Sequence, residues 1–557
     1  MAYSASELIE RAETLENERA NWEQDWQRIA DFVLPRKNDI ITKRSRGENR
    51  NQKRYASIGM QSLNILAASL HGTLTSKAVQ WFDLETGRPE LDASSQIKDY
   101  LQEVARIMWV ELNASNFHSQ VHELYLDLAA FGTGCMLQEE AGGPGEDYDG
   151  LTFSAHPIQS YLIEENHNGQ VDSVCIKHMM TANQIAGKFG ESAMTSEQKS
   201  ALTKDPLSQF EILHWVMPRD TGRSKGDGYT EDASKMGFKS CWVDRSQETI
   251  IREGGYQEFP FTVCRWSKST GDLYGRGPGD TALSDIEVLN EATRLELNAW
   301  AKTIDPPILI EDDGVIGKVN MRPGKPTVVR DVERSVRPFQ NNANMNFNQI
   351  KLGEYRDTIR QAFFADQLEL PNRGSAEMTA TEIQVRYDLM QRVLGPTLGR
   401  LERELLEPVI WRTFKIMGRR GKIPPPPPEM GDVLDINVRY VGPLSRAQKQ
   451  AEINAFMTFL QEVGMVSQMK PEVLDNIDGD AAIRWLHSHH DLPAIVMVED
   501  RIVQQRRDAR AKQQEALAQQ QFQSAGAQDT KAMAEAEAKM QQAGATQQQA
   551  ASEQQPE

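Results

Sequence analysis

The sequence predicts an α+β fold that is mostly α-helical. Apolar residues recur at three- and four-residue steps over most of the chain, and a Ser4–Glu7 capping box starts the first such stretch. Between about residues 135 and 270 the pattern changes to short apolar runs separated by glycine-rich turns, which is typical of β-strands. At 557 residues, the chain is long enough for about three or four structural units.

Composition narrows the classes of protein to consider. The chain has 62 Lys and Arg against 80 Asp and Glu, a formal net charge of -18. This acidic surplus argues against a protein that coats DNA, because neutralising phosphates requires clustered cations. The longest tight apolar cluster, Ala494 to Val498, is far shorter than the ~20 residues of a membrane span. We therefore expect no membrane association and, because no basic stretch precedes an apolar one at the N-terminus, no secretory signal.

In the N-terminal half, the first helix is expected to end at Pro35, followed by a polar, basic loop from Arg36 to Arg54. Further helices are predicted at about 57–77, 95–113 and 117–131. The clearest predicted strands are Met136–Glu139, Val171–His178, Phe210–Val216 and Phe261–Trp266.

The middle of the chain predicts two long helices joined by a small β-module. The first spans 278–304 and ends at Asp305-Pro306-Pro307, where proline prevents continuation. The second spans 347–366, and the module between them includes the predicted strands Ile308–Ile310 and Thr327–Val329. The first helix carries one apolar seam, formed by Leu283, Ile286, Thr293, Leu297, Trp300 and Ile304. Two such helices cannot bury their apolar faces alone, so we expect neighbouring subunits to cover one of them.

The C-terminal part begins with a polar loop at 367–378. Thr379 and Glu382 form a capping box that starts a helical pattern running to about Arg420, with kinks expected at Pro396 and Pro408. A five-proline spacer, a strand at 434–441 and helices at about 445–463 and 470–487 follow. The Gln/Ala-rich remainder is predicted to be helical or disordered.

Enzyme signatures are weak. The run Gly275-Arg276-Gly277-Pro278-Gly279 lacks the Lys-Ser/Thr ending of a phosphate loop and predicts a sharp strand-to-helix turn instead. His487, His489, His490 and Asp491 are adjacent in sequence, which does not place them on one helix face. We therefore predict no catalytic, cofactor or metal site. The alternative hypothesis is a metal-dependent enzyme that processes nucleic acids through these histidines and the acidic clusters.

Several short motifs resemble one known family, the portal or head-to-tail connector proteins of short-tailed bacteriophages. They occur in the family's order across roughly residues 1–490, and their order and spacing are more specific than any single motif. The motifs are Ser57-Ile58-Gly59, Trp81-Phe82-Asp83-Leu84, Ser115-Asn116-Phe117, Phe131-Gly132-Thr133-Gly134, Tyr274-Gly275-Arg276-Gly277-Pro278, Leu289-Asn290-Glu291, Asp305-Pro306-Pro307 and Thr379-Ala380-Thr381-Glu382.

The resemblance implies a ring-forming portal fold with named regions. These are a wing (1–277), stem helices (278–304 and 347–366), a clip (305–346), a channel loop (367–378), a long wing helix (379–430), a crown (431–494) and a tail (495–557) that is a helical barrel or disordered.

The resemblance also implies function and partners. The protein would form a ring, usually of twelve subunits, at the unique portal vertex between head and tail of a virion, after synthesis in the host cytoplasm. Double-stranded DNA would pass through it without sequence recognition, and the terminase large subunit, a tail adaptor, and the capsid and scaffolding proteins would bind it. Candidate DNA contacts are Arg373, Lys302 and Lys351, and candidate cations for docking partners at the clip are Lys318, Arg322 and Lys325.

Overall fold

The structure is a computed structural model whose described residues fall into two units, made of Met1–Asp92 with Tyr100–Gln448 and of Ala93–Asp99 with Lys449–Glu557. The described residues are 3–43, 47–48, 54–78, 80–92, 94–141, 148–219, 232–304, 308–310, 336–338, 345–368, 394–430, 436–440, 443–469, 478–489, 498, 502–514, 531 and 533–544.

Helices dominate the described residues, which confirms the predicted class. Up to residue 430 they are α1 (Ala5–Phe32), α2 (Ile58–Leu74), α3 (Pro89–Asp92), α4 (Ser95–Ala114), α5 (Phe117–Phe131), α6 (Ala182–Phe189), α7 (Ser196–Lys204), α8 (Pro278–Ile304), α9 (Met345–Ala362), α10 (Ala365–Leu368), α11 (residues 394–401) and α12 (Glu407–Arg419). The predicted capping box at Ser4 is present, since its side chain accepts from the Glu7 N–H and Glu7 returns to the Ser4 N–H.

The strands form four antiparallel sheets within the described residues. They are β1 (Phe82–Glu85), β2 (Thr133–Glu140), β3 (Leu151–His156), β4 (Tyr161–Glu165), β5 (Val171–Thr181), β6 (Gln209–Pro218), β7 (Phe238–Asp244), β8 (Thr249–Tyr256), β9 (Phe261–Arg265), β10 (Ile308–Ile310), β11 (Val336–Pro338) and β12 (Asn437–Tyr440). The strand orders are β4-β5-β6-β7-β8, β3-β2-β9, β1-β12 and β10-β11. All four clearest predicted strands are confirmed. The predicted strand Thr327–Val329 lies outside the described residues.

Helix α1 covers one face of the five-stranded sheet. Its apolar stripe, which includes Leu8, Ala12 and Leu15, packs with sheet residues such as Leu213 and Trp215 in one buried cluster. This arrangement follows from the sequence, because the helix presents apolar residues every three to four positions and the strands present them on alternate positions.

The opposite face of the same sheet holds a cluster of aromatic rings. The His214 ring stacks on Trp242 with 3.8 Å between ring centroids, and its Nε2 shares a hydrogen bond with Ser240 Oγ at 2.9 Å. His178 lies 5.3 Å from Trp242, and His156 lies 5.9 Å from His178, again between centroids. Strand register brings His178, His214 and Trp242 together, since β5, β6 and β7 are adjacent strands, whereas His156 comes from β3 of the three-stranded sheet.

Burial keeps these histidines uncharged. Burial, with a smaller effect of neighbouring His178 and Lys188, lowers the pKa of His156 to about 4. The pKa of His178 is also lowered to about 4, by burial and then by Lys188, and the pKa of His214 lies well below its usual range.

We expect the protein to lose stability as the pH falls from about 6.5 to about 4. In that window these histidines bind protons in the unfolded chain but not in the folded one, so the free energy of unfolding falls as the pH falls. Urea midpoints measured across this range check the prediction. The midpoint of His178→Gln should fall less steeply than that of wild type, whereas the variant of the exposed His167, His167→Gln, should follow wild type. Equal slopes for wild type and His178→Gln would contradict it.

The helical region 394–419 confirms one of the two expected irregularities. A π-helical turn, Glu402–Leu406, lies between α11 and α12 and ends two residues before Pro408. Proline lacks the N–H that would bond to the carbonyl four residues earlier, and a π turn accommodates that loss. Pro396 lies within α11, which is helical on both sides of it. The predicted start of this helix at Thr379 lies outside the described residues.

The second unit consists of helices among the described residues. They are α13 (Pro443–Met469, of which the first residues belong to the first unit), α14 (Gly479–His489), α15 (residues 502–514) and α16 (residues 533–544). Phe456 of α13 packs on Trp485 of α14 with 4.6 Å between ring centroids. Both predicted crown helices are found with shifted bounds, and the two helical segments of the tail match one of its two predicted alternatives. Among the residues that the structure describes, no helix is long and apolar enough to span a membrane.

Candidate functional site

The burial of α8 changes halfway along its length. In its first half the side chains of Ala282, Leu283, Ile286 and Leu289 are buried. From Glu291 onward, no side chain that the structure describes on this helix is buried. We call residues 291–304 the distal half of α8.

Large apolar side chains are exposed on opposite sides of this distal half. Leu295 is 54% exposed and Leu297 is 46% exposed. Because an α-helix turns by 100° per residue, residues two positions apart lie on roughly opposite sides of the helix. Val288 lies on the side of Leu295, and Trp300 and Ile304 lie on the side of Leu297. We call these surfaces the 295 side and the 297 side.

Only the N-terminal part of the predicted apolar seam is therefore buried. Its N-terminal members, Leu283 and Ile286, are buried in the core of the subunit, while Leu297, Trp300 and Ile304 are exposed, Ile304 by 84%. An exposed row of large apolar residues on an otherwise soluble helix marks a contact surface.

Helix α9 packs beside α8, as expected for two helices joined through the antiparallel strand pair β10-β11. Leu352 and Ile359 of this helix are buried, as is Phe363 just after its end, and Tyr355 is half-buried.

The predicted C-terminal end of this helix, at residue 366, is wrong. Helix α9 ends at Ala362, Phe364 has a left-handed φ of 56°, and a separate short helix, α10, follows. A bulky residue rarely adopts this conformation, so tertiary packing must hold it. Phe363 is fully buried, and the Phe364 ring stacks near Trp266 with 6.4 Å between centroids. The helical periodicity of the sequence does not reveal that tertiary packing ends α9 at this point.

Glycines hold α8 against the end of α5. Gly132 caps α5 with a left-handed φ of 77°, and a Cβ there would lie 2.5 Å from the backbone of Gly275 and Arg276. A Cβ on Gly277 would lie 2.9 Å from the Leu128 carbonyl oxygen, and one on Gly279 would overlap the Ala130 carbonyl oxygen. The glycine-rich run that the sequence assigned to a strand-to-helix turn thus also permits direct backbone packing between two elements. We call this contact the glycine junction.

Polar contacts fix the proximal half of α8 to the N-terminal elements. The Arg28 guanidinium of α1 donates to both carboxylate oxygens of Glu287, at 2.9 and 2.7 Å. Asn290, which is 7% exposed, accepts from the backbone N–H groups of Tyr55 and Ala56 at 2.6 and 3.2 Å. The distal half thus extends from a firmly anchored base.

The candidate cations are placed unevenly. Lys351 lies on α9, exposed, with Nζ 2.7 Å from Glu354 Oε2, and this hydrogen bond raises the pKa of Lys351. Lys302 lies on α8, but its side chain is not among those described. Arg373, and the clip cations Lys318, Arg322 and Lys325, lie outside the described residues.

A metal-dependent enzyme would need a cluster of ligating side chains in the described part of the chain. Those residues contain no group of three or more His, Cys, Asp or Glu side chains that could hold a metal ion. His487 and His489 lie at the end of α14, and their predicted companions His490 and Asp491 lie outside the described residues.

Comparisons with known proteins agree with one another. A family model described as bacteriophage head to tail connecting protein matches residues 5–497. The probable portal protein of Bordetella phage BPP-1 is 30% identical over 521 residues, 91% of each chain. The portal protein of Salmonella phage epsilon15 is 28% identical over 524 residues, again 91% of each chain.

Solved structures similar to this chain come from the neck of gene transfer agent particles. The chain in the neck of the empty particle has 12% sequence identity and a TM-score of 0.35, covering 77% of this chain and 92% of that one. For the neck of the native particle the identity is 12% and the TM-score 0.32, with 74% and 87% covered.

Proposed function

The chain belongs to the bacteriophage head to tail connecting protein family, and from that premise we propose how its elements build a ring for DNA passage. It is a portal protein, and its role is structural rather than catalytic. No comparison supports the alternative of a metal-dependent nucleic-acid enzyme.

The exposed apolar side chains on α8 are the observation that carries the proposal. A closed ring joins subunits head to tail, so each subunit needs two different surfaces that complement each other. The 295 side and the 297 side of α8 supply two such surfaces on one element. Covering both would remove from water the apolar area that the single subunit leaves exposed.

In this proposal α8 and α9 are the stem of the ring, and residues 305–346 form a clip at its end. Residues 367–378 form a loop towards the channel. The elements before residue 278 and the helical stretch 379–430 form the wing, and residues 431–494 form the crown. The tail from 495 continues as a helical barrel. The expected subunit number is twelve, at the unique vertex where head and tail meet, and synthesis takes place in the host cytoplasm.

The passage of DNA requires weak contacts. A chain of net charge -18 repels the duplex from most of the wall, and isolated cations touch phosphates without reading bases. Lys351 suits this role, because its ion pair with Glu354 is exposed and so exchanges readily with a phosphate. We assign the same role to Lys302 and Arg373.

Partners are proposed from the architecture. Lys318, Arg322 and Lys325 lie in the clip segment, where they would dock first the large subunit of the terminase motor and then the tail adaptor. The major capsid and scaffolding proteins would contact the outer surface of the ring.

Electron microscopy of the purified protein tests the ring directly. Negative-stain images under assembly-permitting conditions should show rings with a central hole. Monomers or dimers alone under those conditions would contradict the proposal.

Deleting residues 367–378 should leave rings intact and impair DNA packaging or retention. The expected physical cause is loss of loop contacts with the duplex, while the apolar surfaces of α8 stay unchanged. Ring yield by negative stain and packaged DNA per particle measure the two effects separately. Loss of rings in the deletion variant would show that the loop is structural, and normal packaging would show that it does not act on DNA.

A further inference from the structure

Helix α15 concentrates positive charge in an acidic chain. Its residues 502–514 include Arg506, Arg507, Arg510 and Lys512, and Asp508 is their only acidic residue. Apart from half-buried Val503, every residue of this helix is exposed. The proposed channel contacts do not include any residue of this helix.

The cations are organised on the helix surface. Arg506 and Arg510 are one turn apart and lie within about 40° of each other, whereas Asp508 lies on the opposite side. Arg507 donates two hydrogen bonds to the Asp480 carboxylate of α14, at 2.6 and 2.7 Å. Within the part of the chain that the structure describes, Arg506, Arg510 and Lys512 have no carboxylate partner. Arg507 is thus held by the second unit itself, whereas the side chains of Arg506, Arg510 and Lys512 are exposed to solvent.

We propose that α15 binds the phosphate backbone of duplex DNA, at a surface separate from the channel. Arg506 and Arg510 are about 6 Å apart along the helix axis, and each DNA strand carries one phosphate charge per ~3.4 Å of its axis. This spacing lets both guanidinium groups reach phosphates of the same strand.

The remaining composition of α15 selects the kind of nucleic acid. Gln504, Gln505, Gln513 and Gln514 add amide donors, which commonly contact phosphates and sugars. The helix has no aromatic side chain, and binding of single strands depends on stacking bases against aromatic rings. Backbone contact with a duplex, independent of sequence, is the mode that these residues support.

The test uses the full-length protein and a relaxed circular DNA duplex. A closed circle cannot thread through a ring, so its binding reports on surfaces other than the channel. The test variant is Arg506→Gln with Arg510→Gln. The control is Arg106→Gln with Lys235→Gln, which removes the same charge from exposed residues that already have acidic partners, Glu103 and Asp232.

We expect the test variant to bind the circle roughly a hundredfold more weakly at 50 mM salt, with the slope of log affinity against log salt reduced by about 2. The control should bind like wild type. Equal weakening in both variants, or none in the test variant, would overturn the proposal. Displacement of the circle by polyglutamate as readily as by duplex DNA would instead indicate an acidic protein partner, and preference for single-stranded DNA would exclude the duplex.

This inference and the proposed ring fail independently. Rings that form while the test variant binds circles normally would remove the role of α15 and leave the portal architecture standing. If the protein never forms rings but the test variant loses circle binding, the role of α15 would stand and the portal architecture would not.

Discussion

Mixing a Leu295→Glu variant with a Leu297→Glu variant is expected to give dimers of subunits and no rings. Each variant has one damaged and one intact surface on α8. In a head-to-tail ring, the intact surface of one variant pairs with the intact surface of the other, and the chain stops there. Native mass spectrometry, or sedimentation with a mass label on one variant, measures the composition of these dimers.

Each variant alone should remain monomeric and folded. Leu295 and Leu297 are about equally exposed in the single subunit, at 54% and 46%, so a glutamate at either position stays solvated until subunits associate. Association would bury an unpaired carboxylate, which is strongly unfavourable. Glu296→Lys is the matched control, because it also changes a charge at this level of α8, but residue 296 lies about 100° around the helix from both Leu295 and Leu297.

Three results would contradict the two-surface assignment. If the mixture forms rings, the contacts between subunits must lie on surfaces other than these two sides of α8. Homodimers of a single variant would indicate a two-fold contact in which one surface meets itself. Failure of Glu296→Lys to form rings would mean that any change of charge at this level of α8 prevents assembly, whichever side it is on.

Sequence periodicity predicted the α8 seam but not which part of it is covered. Leu283 and Leu297 have the same apolar character and belong to the same helical face, yet one is buried and the other exposed. Their difference depends on how far neighbouring elements extend along the helix, which periodicity does not encode. The 295 side was missed because the prediction followed one face, whereas a ring subunit needs two.

Non-local contacts explain the other gaps. His178 and His214 are far apart in sequence, and the register of β5 with β6 brings their rings together, while His156 reaches His178 from a strand of another sheet. The pairing of β1 with β12 joins residues 82–85 with 437–440, so neither strand alone signals its partner. The end of α9 depends on packing around Phe364, which overrides a helical pattern that continues beyond it. The boundaries assigned to wing, stem, clip and crown remain predictions.

Gly279→Ala should destabilise the protein by about 3 kcal/mol or more, although it places alanine in a helix. Elsewhere in a helix, replacing glycine with alanine stabilises by about 0.5–1 kcal/mol, because alanine loses less backbone entropy on folding. At Gly279 the added methyl group overlaps the carbonyl oxygen of Ala130, which is backbone and has no rotamer to adopt. Overpacking of this kind typically costs about 1–3 kcal/mol of stability, and displacing α8 from its contact with α5 adds to that cost.

The matched control is Gly353→Ala in α9, where no described residue beyond the helix's own neighbouring backbone has an atom within 4 Å of the added Cβ. The two substitutions are chemically identical and lie on paired helices. Helix propensity alone predicts that both raise the free energy of unfolding. The glycine junction predicts that Gly279→Ala lowers it and Gly353→Ala raises it. Urea midpoints of the two variants decide between these accounts. If Gly279→Ala is insoluble, Gly277→Ala provides the intermediate case, because its Cβ would lie 2.9 Å from the Leu128 carbonyl oxygen. Equal stabilisation by both alanines would mean that α8 can move away from α5 at no cost, and the anchored base that positions its two exposed sides would not exist.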